Sequence, residues 1–167
     1  MGRSGKVFVF LPIENCIDMI PFVGEYNVRI DAKGRLVLPS ALKKQGDTTE
    51  LGAVYILKED MYEQCLVLYP ASEWERQNTL IRSKLNPFDR AHNQFLRSFS
   101  KGAFEILLDS NNRLLIPKRL LEFAQIDRDV VLSGQDGKIE IWSADMYQQM
   151  WSKAPDFEQL AKKVMND

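Results

Sequence analysis

Apolar and polar residues alternate along one stretch near the start of the chain and then give way to a polar turn. Apolar side chains occupy every second position of residues 26–30, which is the period of a strand with one buried face. After the turn, an apolar run over residues 36–38 ends at Pro39, because proline has no N–H to donate to a neighbouring strand. Residues 40–45 then predict a short helix. The pattern therefore predicts a unit of strand, turn, strand and helix.

The same unit returns later in the chain after a constant shift of 78 positions, as from Asp31 to Asp109 (109 minus 31). The shared positions are Asp31, Arg35, Leu36, Pro39 and Leu42, which return as Asp109, Arg113, Leu114, Pro117 and Leu120. A constant shift is what duplication produces. One copy is too small to bury a core alone, so two copies are expected to pack about a pseudo-twofold axis.

Further patterns complete each copy and connect the two. Strands are predicted at residues 53–57 and 66–69 of the first copy, and at residues 104–108, 114–116, 130–132 and 138–142 of the second, whose short helix spans residues 118–124. A connecting helix is predicted from residue 70 to about residue 84 with Ser72 as its N-cap, and another over residues 88–99. The tail from Ala154 is expected to be a frayed helix or disordered.

These patterns predict an α+β fold that is mainly β. Its parts are an N-terminal extension (residues 1–22), a first repeat (24–73), a helical linker (74–102), a second repeat (103–146) and a C-terminal tail (147–167). The extension has no counterpart before the second repeat, and Met19 stands just before the first. We therefore expect either an additional arm or a start codon assigned too far upstream.

Composition narrows the classes of function. A net charge of −1 gives the whole protein no electrostatic attraction to nucleic acid or anionic lipid, so a nucleic-acid function requires a local patch. Cys16 and Cys65 are 49 positions apart and His92 is the sole histidine, which argues against a metal site and suits a reducing cytosol. The apolar run at residues 7–11 is far shorter than the ~20 residues of a membrane span. We therefore expect a cytoplasmic protein without membrane association or cofactor.

The turns of the two copies, residues 31–35 (the first tip) and 109–113 (the second tip), allow two interpretations. In one, Asp31 and Arg35 close a turn of the Asx type with a local ion pair. In the other, Lys33 and Arg35, with Arg29 on the strand leading in, form a cationic tip of a β-ribbon that fits the major groove of DNA. There arginine contacts guanine and lysine contacts phosphate. Arg113 is the weaker candidate because the second tip has no lysine.

The duplicated aspartates allow an enzymatic interpretation. Asp31 and Asp109 would share a proton across the pseudo-twofold axis if they formed an acid dyad. Such chemistry requires two carboxylates in contact and away from cations, whereas each aspartate here is followed by an arginine four residues later. The sequence therefore predicts neither an enzyme nor a small-molecule substrate.

Several spaced motifs together resemble one family. They are the duplicated hairpins of the form Asp-x-x-x-Arg-x-x-x-Pro, the segment at residues 68–74, the linker motif at residues 86–103 and the segment at residues 139–142. In this order they resemble the MraZ transcriptional regulators, and the resemblance covers residues 22 to about 151.

The resemblance implies a specific fold and function. It implies two swapped-hairpin β-barrel halves of the SpoVT/AbrB type in one chain, assembled into a ring-shaped homo-oligomer. It also implies a repressor at the nucleoid that binds tandem repeats of double-stranded DNA in the promoter of the division and cell-wall gene cluster. The resemblance implies that Arg35 contacts DNA; Lys33 matches the usual lysine or arginine of that tip, and the carry-over to Arg113 is less secure. Arg29 is a candidate from the charge pattern alone. The motif residues of the hairpins are Asp31, Gly34, Pro39, Asp109 and Pro117.

Asn112 departs from the family pattern, in which glycine is common at that place in the turn. Asparagine tolerates the left-handed conformation, so the second turn is expected to survive. The alternative function is a structural or antitoxin-type protein-interaction module of the AbrB kind. Such antitoxins normally carry one hairpin copy and a disordered tail that binds the toxin, whereas this chain carries two copies and a short tail.

Overall fold

The computed structural model describes residues 22–45 and 54–166, in which the chain forms eight strands and six helices. In chain order they are β1 (Glu25–Arg29), β2 (Arg35–Val37), α1 (Ser40–Lys43), β3 (Val54–Glu59), β4 (Leu66–Pro70), α2 (Ala71–Lys84), α3 (Arg90–Ser100), β5 (Phe104–Leu107), β6 (Arg113–Leu115), α4 (Lys118–Phe123), β7 (Asp129–Gln135), β8 (Lys138–Ser143), α5 (Ala144–Lys153) and α6 (Phe157–Met165). Every predicted strand and short helix forms, with ends that differ by a few residues.

Antiparallel pairing joins six strands into one sheet with the order β1-β7-β8-β4-β3-β5, and β2 pairs with β6 in a separate two-stranded ribbon. The prediction of an α+β fold is therefore confirmed, with antiparallel pairing in both sheets, whereas its description as mainly β is not, because the described helices hold more residues than the strands. Strands of one repeat pair with strands of the other: β1 with β7, β5 with β3, and β2 with β6. Strands β1 and β2 do not pair with each other; exchange between the repeats instead buries the apolar faces of both units in one core.

The pairing registers show a pseudo-twofold relation between the repeats. In the ribbon, Leu36 lies opposite Leu114, which is the same position of the second repeat (114 minus 36 is 78). In the sheet, Val67 lies opposite Glu140, again the equivalent position (140 minus 67 is 73). Exchanging the repeats also maps the sheet order onto itself. A pseudo-twofold axis therefore passes through the centre of the β2–β6 ribbon and the centre of the β4–β8 pair.

The main core joins the ribbon, the two short helices and the sheet. Equivalent positions of the repeats are buried in pairs, as sequence analysis predicted for the shared leucines: Leu36 with Leu114, Leu38 with Ile116, and Leu42 with Leu120. Each of these six side chains is at most 2% exposed. Burying one such aliphatic side chain contributes about 1.5–3 kcal/mol, so the duplicated leucines are primarily a folding device.

The linker helices differ from the prediction in their first residues. Helix α2 begins at Ala71 with Pro70 at the N-cap, so the assignment of Ser72 as N-cap is wrong; the fixed φ of proline lets Pro70 end β4 and begin the helix. Helix α3 begins at Arg90, after the Asp89 side chain accepts a hydrogen bond from the backbone N–H of His92. The rings of Trp74 and Phe99 stack at 5.3 Å and tie the two helices together.

The C-terminal tail forms helix α6, which begins after the cap residue Asp156 accepts a hydrogen bond from the backbone N–H of Gln159. The segment is therefore helical, in agreement with the first of the two alternatives expected for the tail, and capping by Asp156 marks where the helix begins. Residues 1–21 of the N-terminal extension lie outside the described residues, as does Cys16, so the expectations for them stay predictions.

Candidate nucleic-acid interface

The first tip is a turn organised by one carboxylate. Asp31 Oδ1 accepts hydrogen bonds from the backbone N–H groups of Lys33 and Arg35, both at 2.9 Å. The N–H of Gly34 donates to the Asp31 carbonyl at 3.0 Å, and Gly34 takes a φ of 81° that favours glycine. The bond from the Arg35 N–H lowers the pKa of Asp31 below its ordinary value. The predicted Asx-type turn is confirmed.

The Arg35 side chain is held by the same carboxylate. Arg35 Nε lies 2.8 Å from Asp31 Oδ2, and the Arg35 side chain is 28% exposed. Across the part of the chain that the structure describes, the guanidinium has no hydrogen-bonded partner besides Asp31, and its bond to Asp31 is made by Nε alone. The two Nη groups therefore keep their donors available for a ligand, while the carboxylate fixes the side chain.

The second tip repeats this arrangement. Asp109 Oδ1 accepts from the N–H groups of Asn111 at 2.8 Å and Arg113 at 2.9 Å, and Arg113 Nε lies 2.7 Å from Asp109 Oδ2. The Arg113 side chain is 30% exposed, which is almost the value at Arg35. Asn112 has a φ of 58°, so the prediction that asparagine keeps the left-handed turn is confirmed.

The ribbon brings the two tips together, which sequence analysis did not foresee. Because Leu36 and Leu114 point into the core, their neighbours on β2 and β6 share the opposite, outward surface. We call this surface the ribbon face; its four residues are Arg35, Val37, Arg113 and Leu115. The two arginines therefore lie on one face, related by the pseudo-twofold axis.

Backbone hydrogen bonds fix each tip against the other repeat. The N–H of Ile116 donates to the carbonyl of Gly34 at 2.8 Å, and the N–H of Leu38 donates to the carbonyl of Asn112 at 2.9 Å. Each tip thus lies at one end of the ribbon. At about 3.3 Å per residue, the four steps from residue 34 to residue 38 place the tips roughly 13 Å apart along it.

A lysine of the first repeat lies at the second tip. Lys43 Nζ on α1 donates to Oδ1 of Asn112, and Lys44 follows it on the surface. The position equivalent to Lys43 is Leu121 (121 minus 43 is 78), an apolar residue that lies beside Gly34 at the first tip. The second tip lacks a lysine of its own, but it has a cation supplied by the other repeat. Sequence analysis missed Lys43, although its mismatch with Leu121 was visible in the repeat.

Arg29 is placed differently from the other candidates. It lies on β1 directly opposite Asp129 of β7, and its Nε is 3.1 Å from Asp129 Oδ1. Both side chains are exposed, at 69% and 63%. Arg29 is therefore not part of the ribbon face, and an acidic neighbour already accompanies its charge.

The chemistry of the tips is that of ion recognition. Asp31 and Asp109 each pair with their own arginine, and hydrogen bonds from the backbone N–H groups of those arginines lower the pKa of both carboxylates, whereas a proton-sharing dyad requires a raised pKa. Among residues 22–45 and 54–166 no three His, Cys, Asp or Glu side chains are grouped to hold a metal ion. Burial raises the pKa of the Cys65 thiol, so it is a poor nucleophile.

No helix within the described ranges has the length and apolar character needed to cross a membrane. The longest helix of the described residues, α2, has 14 residues, and its last turn carries Arg82 and Lys84.

Comparison with known proteins matches both repeats to one family. A family model described as "MraZ protein, putative antitoxin-like" matches residues 21–98 and again residues 99–166. The two matches together cover residues 21–166, and the boundary between them, after residue 98, lies near the C-terminal end of α3. The duplication found in the sequence is therefore a property of the family.

Relatives named Transcriptional regulator MraZ are similar along most of their length. The protein of Christiangramia forsetii is 41% identical over 153 residues, which are 89% of this chain and 96% of the relative. That of Flavobacterium psychrophilum is 41% identical over 150 residues, 89% and 94% of the two chains, and that of Cytophaga hutchinsonii 39% over 145 residues, 86% and 94%. The name is that of a regulator, in agreement with the expectation that this protein is not an enzyme. The resemblance inferred from the motifs is confirmed, and the chain belongs to the MraZ family.

Proposed function

We propose that this protein is a sequence-specific DNA-binding transcriptional regulator that reads double-stranded DNA with the ribbon face. The observation that carries the proposal is the pair of arginines, Arg35 and Arg113, on one outward surface of a two-stranded ribbon. A two-stranded β-ribbon fits the major groove, where arginine contacts the O6 and N7 atoms of guanine in bidentate fashion. The relatives' name as transcriptional regulators supports the same class of function.

The carboxylate of each tip acts as a positioning group in this proposal. Asp31 takes the Nε edge of Arg35 and leaves both Nη donors, the pair that matches two acceptors on one base edge. Holding the guanidinium in advance lowers the conformational entropy lost on binding. In this proposal Lys33 at the first tip and Lys43 at the second contact phosphates, and Arg29 supplies a further phosphate contact from β1.

We propose a ring-shaped homo-oligomer as the binding form, in which each chain contributes two halves of the swapped-hairpin barrel type (residues 24–73 and 103–146). A net charge of −1 gives a single chain weak, salt-sensitive affinity. Several tips held at fixed spacing make later contacts intramolecular and raise avidity about 10²–10⁴-fold when the geometry permits. The proposed target is tandem repeats in the promoter of the division and cell-wall gene cluster, bound by a repressor in the cytoplasm at the nucleoid.

Gel-shift titration at fixed salt tests the proposal. Duplexes with one, two and three promoter repeats are expected to bind with rising affinity, and Arg35→Ala is expected to bind more weakly while the oligomer mass by light scattering stays unchanged. Arg97→Ala, which removes an exposed arginine from α3, is the matched control and should bind like the wild type. Equal affinity for one repeat and three, or undiminished binding by Arg35→Ala, would contradict the proposal.

The alternative, an antitoxin-type protein-interaction module, is favoured by one observation. Helix α6 exposes a stripe of apolar side chains, among them Phe157 at 80%, Val164 at 64% and Met165 at 81%. Removal of residues 157–167 distinguishes the two functions. A regulator that reads DNA with the ribbon face keeps its affinity for promoter DNA after the truncation, whereas an interaction module loses its partner and has no promoter affinity to keep.

A further inference from the structure

Two apolar side chains on the ribbon face have no role in the core. Val37 is 53% exposed and Leu115 is 57% exposed, although their neighbours Leu36 and Leu114 are buried. The shift of 78 relates them (115 minus 37), so the pseudo-twofold axis exchanges one for the other. An outward apolar residue therefore stands at the same place in both repeats.

Each of these residues lies directly across the ribbon from an arginine. Arg35 is opposite Leu115, and Val37 is opposite Arg113. Side chains directly opposite in an antiparallel pair have Cβ atoms about 4.5–5.5 Å apart. Base pairs follow each other at about 3.4 Å. A ligand base read by one arginine would thus have its neighbouring base within reach of the apolar side chain across from it.

The major groove offers one apolar group, the 5-methyl group of thymine, and apolar side chains contact it in protein–DNA interfaces. We propose that Val37 and Leu115 are specificity-determining residues that recognise thymine methyl groups next to the guanines read by Arg113 and Arg35. The proposal rests on the function proposed above. One chain then reads a pseudo-palindromic set of bases centred on the axis of the ribbon.

An interface between copies of the chain is a less fitting use of these two residues. Stable protein interfaces bury about 1,200–2,000 Å² with an apolar centre, whereas here each apolar residue lies directly across the ribbon from an arginine. Covering the ribbon face with protein would desolvate Arg35 and Arg113 without a carboxylate beyond those already present. A DNA base edge, by contrast, offers acceptors to the arginines and a methyl group to their neighbours.

The test uses promoter duplexes in which deoxyuridine replaces thymine, which removes the 5-methyl group and leaves base pairing intact. Wild-type protein is expected to bind the deoxyuridine duplex about threefold to tenfold more weakly for each methyl group contacted. The double variant Val37→Ala/Leu115→Ala is expected to bind the thymine duplex more weakly and to show no further loss with deoxyuridine. Such non-additivity is the sign that the side chains and the methyl groups interact directly.

Leu107→Ala is the matched control, because Leu107 on β5 is equally exposed at 56% and lies outside the ribbon face. It should keep the wild-type ratio between thymine and deoxyuridine duplexes. Light scattering of every variant checks the oligomer mass. A double variant that keeps the wild-type ratio overturns the inference, and so does one that changes the oligomer mass instead, which would make the ribbon face an interface between copies.

Failure of the inference is distinguishable from failure of the proposed function. If Arg35→Ala binds the promoter duplex more weakly than wild type, but wild type binds the thymine and deoxyuridine duplexes equally, only the recognition of methyl groups is wrong. If wild-type protein shows no preference for promoter DNA over a scrambled duplex, the proposed function and the inference both fail.

Discussion

The first and second tips have the same turn conformation and the same carboxylate–guanidinium pair, but the second cation at each tip comes from a different part of the chain. The first tip carries Lys33 within its own turn, whereas the second tip has Lys43 of the other repeat bonded to Asn112. The duplicated parts are those that set geometry: an aspartate, an arginine and a left-handed residue, Gly34 or Asn112. Strand exchange places each tip against the opposite repeat. The second tip, which has no lysine in its own turn, therefore has a lysine of the first repeat beside it.

The largest effects are expected from the arginines, and they decide whether the tips are equivalent. Arg35→Ala and Arg113→Ala should each weaken binding to promoter DNA roughly 5- to 150-fold, since one bidentate contact to a base contributes about 1–3 kcal/mol. The double variant should lose specific binding. Fluorescence anisotropy at fixed salt, with oligomer mass measured in parallel, gives the comparison. A loss at Arg35→Ala together with wild-type binding by Arg113→Ala would show that only the first tip reads DNA.

A smaller effect, on stability, comes from exchanging the left-handed residues of the two tips. A Cβ atom at Gly34 would lie 3.0 Å from the Ile116 carbonyl oxygen, so Gly34→Asn is expected to lower the free energy of unfolding by about 1 kcal/mol. For a protein of this size that is about 2–4 °C in Tm. Asn112→Gly should stay within about 0.5 kcal/mol, because it removes one hydrogen bond and relieves a positive φ.

Thermal unfolding of both variants at equal protomer concentration tests this difference. Equal destabilisation at the two positions would mean that the tips are equally crowded and that the close approach of Ile116 to Gly34 has no energetic consequence.

The sequence predicted local chemistry well and pairing poorly. Alternation and proline placed each strand, and the spacing of Asp31 and Arg35 predicted both the turn and the ion pair, because these depend on neighbours a few residues away. The partner of β1 depends on which apolar faces are buried together over 100 residues, and no local pattern encodes that choice. The same non-local pairing put Arg35 and Arg113 on one face.

Lys43 is a candidate DNA-contacting residue that the sequence patterns did not indicate. Comparing the tips alone suggested that the second had lost its cation, whereas the structure supplies one from a helix 69 positions earlier in the chain. A comparison of every repeat position would have flagged Lys43 against Leu121, but only the fold shows that the difference falls at a tip. Ser72 shows the converse, since a favourable N-cap residue lies inside a helix that begins after the proline two residues earlier.

The two lysines offer a finer comparison of the tips. Lys33→Ala and Lys43→Ala should weaken binding by similar factors on all DNA sequences, and each should reduce the slope of log affinity against log salt by about 1, the signature of one lost phosphate contact. Lys162→Ala on α6, which removes a lysine that is not part of the ribbon face or of either tip, is the control. An unchanged salt slope for Lys43→Ala would mean that no lysine at the second tip contacts phosphate, as the sequence of that turn suggests.

The smallest effect is a pH dependence that should be the same at both tips. The backbone N–H of Arg35 holds the pKa of Asp31 below its ordinary value of 3.8, and the N–H of Arg113 does the same for Asp109. A lowered pKa in the folded state stabilises the protein fully above the unfolded value, and this contribution is lost as pH falls below about 3.8 through the folded value. The free energy of unfolding of Asp31→Asn and of Asp109→Asn should therefore differ from that of wild type by a constant amount between pH 7 and pH 5, and the difference should shrink in acid.

Urea unfolding from pH 7 into acid, at fixed protomer concentration, measures this difference for both variants. Because Asp89 and Glu73 also have lowered pKa values in every variant, only the difference from wild type reports on a tip. Different curves for the two variants would show that the tips, alike in geometry, are held with different strength.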